Sequence, residues 1–120
     1  MIVDRCDLSK AEETKDEIVG KGLVQKQIVI DDKVSKGFGV VWVKFAPGAR
    51  LNFHTHPFEQ IIYVTEGRGI VATKAGEKIV TPGMVVFIPP REVHWHGATE
   101  DSSFAHVALY RGASKLEENK

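Results

Sequence analysis

The chain has 120 residues, a length that suits one domain, and 42% of them are hydrophobic, enough to form a buried core. Sixteen basic and sixteen acidic residues give a formal net charge of zero. This balance argues against the basic surface that nucleic-acid binders and polybasic membrane-surface proteins carry. Cys6 is the only cysteine, which excludes an internal disulfide and a cysteine-based zinc cluster, and we expect it to be at least half-buried.

The N-terminal region predicts neither a signal peptide nor a membrane helix. MIVDRCDLSK reaches charged residues too early for a signal peptide. No apolar run in the chain approaches the roughly 20 residues that a membrane helix needs. We therefore expect a soluble, cytoplasmic protein.

One segment near the N-terminus has a helical pattern. SKAEETKDEIV (9–19) offers Ser9 as an N-cap and Glu12 to complete a capping box. Its apolar positions are few, so the same segment could instead form a solvated, extended arm. Both alternatives remain open at this point.

From residue 23 onward the chain predicts short strands separated by turns rich in Gly and Pro. The predicted strands are LVQKQIVI (23–30), GVVWVKFA (39–46), QIIYVTE (60–66), GIVAT (69–73), EKIV (77–80), MVVFIPP (84–90), HWHGA (94–98) and SSFAHVALY (102–110). Strands of this length and spacing indicate an all-β sandwich or barrel rather than a βαβ fold. The polar tail KLEENK (115–120) is expected to fray.

All five histidines fall on predicted strands or at strand ends: His54, His56, His94, His96 and His106. His54 and His56 are two residues apart, so on a strand their imidazoles project from the same face. Together with His94 and the amide oxygen of Gln60 they would occupy four positions of an octahedral metal site, leaving two for water or substrate. The alternative is a polar barrel mouth in which the histidines form hydrogen bonds without a metal.

An amide in this ligand set has a chemical consequence. A neutral oxygen leaves the metal its full +2 charge, which makes the ion a stronger Lewis acid but a less tightly bound one. Imidazole-rich ligation suits a divalent transition metal such as Mn, Fe, Ni or Zn. Glu59 competes with Gln60 for the fourth position, although on a regular strand the two side chains face opposite ways.

Two motifs resemble those of the cupin superfamily. GARLNFHTHPFEQIIYVTEG (48–67) resembles the first, with Gln60 at the position where the family most often has Glu. GMVVFIPPREVH (83–94) resembles the second and ends on His94. The resemblance covers roughly residues 37–111 and favours Gln60 over Glu59. It implies one jelly-roll domain over residues 1–120, with its core at about 23–111. Two further departures are Arg91, where the family has glycine, and Ala98, where asparagine is common.

The chain also resembles a narrower group within this superfamily, the carboxymuconolactone decarboxylase-associated cupins. The segments that carry this resemblance are HTHPxxQ, PPREVHWHGAT (89–99) and SFAHVAL (103–109). Some of these are manganese-dependent hydroxynitrile lyases. In them the position matching His106 lies beside the metal and assists proton transfer, and the positions matching Val41, Val43 and Tyr110 line the pocket. The remaining pocket residues are not kept here, so the substrate does not follow from the resemblance.

Beyond the metal, His106 is the predicted catalytic residue, because an unperturbed imidazole titrates near neutral pH. The alternative is a strand histidine hydrogen-bonded inside the barrel. His96 shares a strand face with His94 and is predicted either to contact substrate or to lie at the rim. The aromatic residues are expected in the interior or at a subunit interface: Trp42, Phe53, Phe58, Tyr63, Phe87, Trp95 and Phe104.

The leading functional hypothesis is a metal-dependent enzyme that acts on a small oxygenated molecule, by lyase or isomerase chemistry or, with iron, by dioxygenase chemistry. The second is a binding or sensor domain without turnover. A cavity open to solvent and lined by His106 would favour the first, and a cavity filled by aromatic side chains would favour the second. A homodimer is also expected, with LVQKQIVI as the contact or exchange element.

Overall fold

A computed structural model of the chain describes residues 1–111, so the predicted frayed tail (115–120) lies outside the described residues. The strands are β1 (Glu12–Glu13), β2 (Val19–Lys21), β3 (Val24–Ile30), β4 (Phe38–Phe45), β5 (Arg50–Leu51), β6 (Gln60–Gly67), β7 (Gly69–Thr73), β8 (Gly76–Val80), β9 (Val85–Ile88), β10 (His94–Ala98) and β11 (Phe104–Arg111). A 3₁₀ turn (Leu8–Lys10) and a short helix, α1 (Asp32–Ser35), are the helical elements of this region. None of its helices is long and apolar enough to cross a bilayer.

The strands form two antiparallel sheets. The larger has the order β1-β3-β4-β11-β6-β9, and the smaller has the order β2-β5-β10-β7-β8. Most strands therefore lie beside partners that are distant in sequence, as in a jelly roll. The all-β prediction is confirmed.

The hydrophobic core lies between the two sheets. The larger sheet contributes Phe45, Val64 and Phe104, which pack against Leu51 and other apolar side chains of the smaller sheet. Alternation along β4 explains the arrangement, because residues two apart share a face of the sheet. Val43 and Phe45 face inward, and Trp42, the residue before Val43, faces outward. The same alternation brings inward-facing side chains to the end of the sandwich where the histidines lie.

The N-terminal segment is extended, so the helix over residues 9–19 is the wrong alternative. Ser9 is not an N-cap: its backbone N–H donates to Asp7, which caps the 3₁₀ turn instead. Glu12 lies in β1, paired with β3. A segment with so few apolar residues has little to bury as a helix, whereas pairing with a sheet satisfies its backbone. Cys6, expected to be at least half-buried, is exposed in this segment.

The aromatic residues divide between core and surface. Trp42, Trp95 and Phe104 are buried, and the guanidinium carbon of Arg50 lies 3.7 Å from the centroid of the Trp95 ring. Phe53, Tyr63 and Phe87 are exposed. The interior is therefore excluded for these three, and their position at a subunit interface stays a prediction.

Candidate metal centre

Three buried histidines converge at one end of the sandwich. His54, His56 and His94 each offer a ring nitrogen, and these nitrogens all lie within 4.8 Å of one another. Two backbone hydrogen bonds hold the first and last in register, since His54 N–H donates to His94 (2.9 Å) and His94 N–H donates to His54 (3.0 Å). Arg91, in the left-handed region at φ 66° where the family has glycine, donates its N–H to the carbonyl of His56 (2.8 Å). The two motifs are thus joined through the backbone.

The three rings have their tautomers set by the backbone. In His54, His56 and His94 alike, the Nδ1–H donates at 2.8 Å to the carbonyl of a residue two positions away in sequence. A neutral ring that donates from Nδ1 carries its lone pair on Nε2. The Nε2 of His94 is buried and has no hydrogen-bond partner among the described residues. Fixing one ring nitrogen so that the other is free for a metal is the usual outer support of a histidine ligand.

Burial also sets the charge of these rings. It lowers the pKa of His54, and burial together with the neighbouring His54 ring lowers the pKa of His94 to about 4. His94 is therefore neutral at physiological pH. Neutral imidazole is the form that binds a metal ion, so no proton has to be displaced from it.

Gln60, the first residue of β6, adds an amide oxygen to the three histidine nitrogens. Its Oε1 lies 3.1 Å from the Nε2 of His56. Because the Nδ1–H of His56 already donates to a carbonyl, both facing atoms are acceptors, unless the amide turns to present its nitrogen. A cation between them would satisfy both lone pairs. The competing ligand, Glu59, forms an ion pair with Arg111 at the surface (3.0 Å) and lies outside the cluster. The donor set of three neutral imidazoles and one amide oxygen fits a divalent transition metal.

A cavity of about 360 Å³, open to solvent, reaches this cluster. Its wall includes all four pocket residues predicted from the sequence: Val41, Val43, His96 and Tyr110. His54, His56, Gln60 and His106 line the same cavity, so the structure brings three of the four predicted ligands and the predicted catalytic residue to one space.

Sequence reasoning missed several parts of the wall. Phe58 stacks on the His56 ring, with centroids 4.4 Å apart and planes 3° apart. Ala108 lines the cavity two residues after His106, on the same face of β11, so alternation along that strand could have identified it. Asp31 and Asp32, at the start of α1, also contribute to the wall, and no pattern in the sequence pointed to them.

His106 and His96 form a buried pair beside the cluster. The Nε2 of His106 lies 3.1 Å from the Nδ1 of His96, and the two remaining ring nitrogens are buried without a hydrogen-bond partner among the described residues. Burial lowers the pKa of His106 to about 3, and it also lowers the pKa of His96 well below the usual value. The unperturbed imidazole pKa on which the prediction of His106 relied therefore does not apply to this buried ring. The residue sits on a strand flanked by two others, where a charged imidazole would lose its hydration.

The facing antiparallel sheets and the converging histidines define a class of small β-sandwich proteins with a candidate metal site. Residues 41–110 match the cupin domain family, which is more than half of the chain. The chain belongs to the cupin family.

Comparison with known proteins adds three relatives. The (R)-mandelonitrile lyase of Granulicella tundricola is 43% identical over 68 residues, which are 56% of this chain and 52% of that protein. The matched stretch thus spans about half the length of that relative. A cupin-like protein from Thermotoga maritima is 31% identical, with a TM-score of 0.85 over 92% of this chain and 85% of its own. The polyketide cyclase RemF from Streptomyces resistomycificus, 17% identical with a TM-score of 0.80 over 99% and 87%, shares the fold.

Proposed function

We propose that this cupin is a metal-dependent enzyme in which His54, His56, Gln60 and His94 hold one divalent transition metal, such as Mn, Fe, Ni or Zn. The observation that carries the proposal is the set of three histidines whose Nδ1–H groups are each held by a backbone carbonyl, leaving their Nε2 atoms for an ion. When bound, the ion would act as a Lewis acid on a substrate oxygen. All four ligands are neutral, so they leave its charge to the substrate.

The cavity indicates the class of substrate. Its volume lies in the range of small-molecule sites, and its wall combines apolar side chains with the histidines. Val41, Val43 and Ala108 come from adjacent strands and offer an apolar surface, while Phe58 and Tyr110 offer aromatic rings 5.4 Å apart. These residues would exclude water from an apolar or aromatic group. The substrate is thus a small molecule with an apolar body and a hydroxyl or carbonyl oxygen.

His106 would move the proton. When its Nε2–H donates to His96, the Nδ1 lone pair is free to accept a proton from a substrate hydroxyl. Because burial holds the pKa of His106 at about 3, the ring keeps that proton only while a negative charge is present in the cavity. This suits a reaction in which an anion leaves and then takes the proton back.

Cleavage of a carbon–carbon bond beside a hydroxyl meets this requirement. The hydroxyl proton goes to His106, the C–O bond becomes a carbonyl, the bond to the leaving group breaks, and the leaving anion takes up the proton. The similarity to a mandelonitrile lyase supports a lyase over an isomerase or an iron dioxygenase. A binding or sensor domain is less favoured, because the cavity is open rather than filled by aromatic rings.

Metal analysis tests the first part of the proposal. Protein purified without added ions should contain about one equivalent of a transition metal, or should bind one on addition of Mn, Fe, Ni or Zn. His94→Ala should lose most of this metal, since it removes one of four ligands. Glu59→Gln, a change at the neighbouring surface position, is the matched control and should retain it. Less than about a tenth of an equivalent with no binding of added ions would show that the site holds no metal.

Activity tests the second part. Mandelonitrile is the probe, and release of benzaldehyde by the metal-loaded protein is the expected result. His106→Gln should bind the metal as the wild type does and lose about 100-fold or more in rate, because a positioned acid–base group contributes about that much. Full activity of this variant would exclude proton transfer by His106.

Two further expectations belong with this proposal. A small molecule rather than a nucleic acid is the expected ligand, given the net charge of zero. A cytoplasmic location stays a prediction, which cell fractionation would check.

A further inference from the structure

The charged residues of the cavity wall all lie in one part of the chain. The wall residues between Val41 and Tyr110 include no aspartate, glutamate, lysine or arginine. The charged wall residues all precede β4, and they are Asp16, Lys26, Asp31, Asp32 and Lys33. These residues lie outside the stretch 41–110 that matches the cupin family. The charge of the wall is therefore a property of this chain rather than of the shared domain.

Burial separates the two acidic residues of α1 from the other charges of the wall. Asp31, the N-cap of α1, and Asp32, its first residue, are half-buried, whereas Asp16, Lys26 and Lys33 are exposed. Asp31 Oδ1 accepts a hydrogen bond from the backbone N–H of Lys33 (2.7 Å). The carboxylate of Asp32 has no hydrogen bond or ion pair among the described residues. Water screens exposed charges more than half-buried ones, so the acidic pair dominates the potential in this part of the wall.

Tyr110 lies beside this acidic pair. It is paired with Gly39 of β4, and a Cβ added at Gly39 would collide with the Tyr110 ring and its hydroxyl. The phenol therefore lies across β4, near the start of that strand. Burial, followed by the charges of Asp32 and Asp31, raises the pKa of the Tyr110 hydroxyl, as expected for a phenol close to two carboxylates.

Phe58 adds a second aromatic ring to the same part of the wall. The ring centroids of Phe58 and Tyr110 are 5.4 Å apart, and their planes are tilted by 43°. Aromatic faces attract cations, and carboxylates accept strong hydrogen bonds from an ammonium group. An organic ammonium group therefore suits both kinds of side chain. A metal ion such as Ca²⁺ suits them less well, because it needs six or more oxygen ligands.

We propose that Asp31, Asp32, Phe58 and Tyr110, the ammonium subsite, bind a positively charged group of the substrate at the solvent end of the cavity. This inference rests on the proposed function only for the other end of the substrate, whose hydroxyl or carbonyl oxygen lies at the metal. The substrate is thus a small molecule with an oxygen at one end, an apolar body and an ammonium group at the other end.

Unpartnered nitrogens at the inner end of the cavity are independent evidence for a ligand. His96 is 3% exposed and His106 is 0% exposed. The Nε2 of His96 and the Nδ1 of His106 have no hydrogen-bond partner among the described residues, and both histidines line the cavity that contains the ammonium subsite. Buried polar atoms are nearly always hydrogen-bonded, so these two nitrogens indicate a polar ligand group at this end.

Strand spacing sets the length of the ligand. Tyr110 is paired with Gly39 on one side and with Gln60 on the other, and its ring lies over Gly39. Two strand spacings, roughly 10 Å, therefore separate the proposed metal ligand Gln60 from the backbone beneath the phenol. A benzene ring with an oxygen-bearing carbon and an aminomethyl group in para positions spans most of this distance.

Ligand binding tests the inference without any turnover. The probes are 4-(aminomethyl)benzyl alcohol, a cation at about pH 7.5, and 4-ethylbenzyl alcohol, its uncharged isostere. Titration of the metal-loaded full chain, followed by NMR, gives the two dissociation constants. The cation should bind at least about 10-fold more tightly than the isostere, because charge-assisted hydrogen bonds to two carboxylates add to the aromatic contacts.

Three variants locate this preference. Asp31→Asn/Asp32→Asn should reduce it to less than about threefold and leave binding of the isostere within about threefold of the wild type, and asparagine still caps a helix. Tyr110→Leu should reduce the preference about two- to fivefold. Glu13→Gln/Glu77→Gln is the matched control, because it removes the same charge from two exposed residues outside this cavity wall. It should keep the full preference.

Three outcomes would overturn the inference. They are a wild type that does not bind the cation more tightly than the isostere, a preference that either subsite variant leaves intact, and a preference that the control variant loses equally. Release of benzaldehyde from mandelonitrile, measured on the same proteins, tests the proposed function separately. Preference for the cation without turnover would support the subsite and contradict the lyase, and turnover without preference would do the reverse.

Discussion

Acid should destabilise the metal-free protein, and His106 should account for a defined share of the loss. Burial lowers the pKa of His106 from 6.5 to about 3. Below about pH 6.5 the unfolded chain therefore takes up a proton that the folded chain does not accept until about pH 3. Stability is complete above this window and falls as the pH drops through it. For one site with these two pKa values, linkage gives a loss of about 2 kcal/mol between about pH 7.5 and 5.

Urea unfolding in the presence of a chelator, at about pH 7.5 and about pH 5, measures this loss. His94, with its pKa lowered to about 4, adds to the total, so the comparison is made between variants. Glutamine does not titrate, so His106→Gln should lose about 2 kcal/mol less than the wild type over the interval, whatever its stability at either pH. Val43 lies directly opposite His106 in the sheet, and Val43→Ala is the matched control. It should lower stability at both pH values and keep the wild-type difference. If His106→Gln and the wild type show the same pH dependence within about 0.5 kcal/mol, the residue is not a buried neutral histidine.

Two other substitutions test the site and the fold. Gln60→Glu should tighten metal binding by about 10- to 100-fold, because it adds a negative charge to a neutral ligand set. Competition with a chelating dye measures this affinity. An unchanged affinity would remove residue 60 from the ligand set. Gly67→Ala should destabilise the protein by at least about 3 kcal/mol, since Gly67 has φ 74° and an added Cβ would collide with the backbone carbonyl oxygen of Ser103. Gly37→Ala, with no atom nearer than 3.9 Å, is its control, and similar losses in the two proteins by thermal melt would contradict the close approach at residue 67.

The strands that the sequence predicted correctly are the ones with a clear pattern. β7 and β10 match the predicted ranges, and the other six long predictions agree within a few residues, because β-branched and aromatic runs end at Gly or Pro. β1, β2 and β5 have only two or three residues each, too short to show any alternation. They form because neighbouring strands supply partners for their backbone, which no local pattern records.

In the candidate site, too, the sequence predicted some features and the tertiary structure decided others. Spacing alone indicated that His54 and His56 share a face, and the family motifs added Gln60 and His94. Tertiary structure decided which way the rings point, because the carbonyls that hold their Nδ1–H groups take their positions from the folded loops. It also turned Glu59 toward Arg111.

The sequence by itself determined the fold class and the chemical identity of the candidate ligands, because alternation, turn residues and histidine spacing are local properties. Only the tertiary structure decided the protonation of His106, since its pKa depends on the strands that exclude water from it. Only the tertiary structure placed Asp31 and Asp32 in one cavity wall with Tyr110, which is distant from them in sequence. The pairing of β4 with β11 brings these residues together, and no local pattern records that pairing.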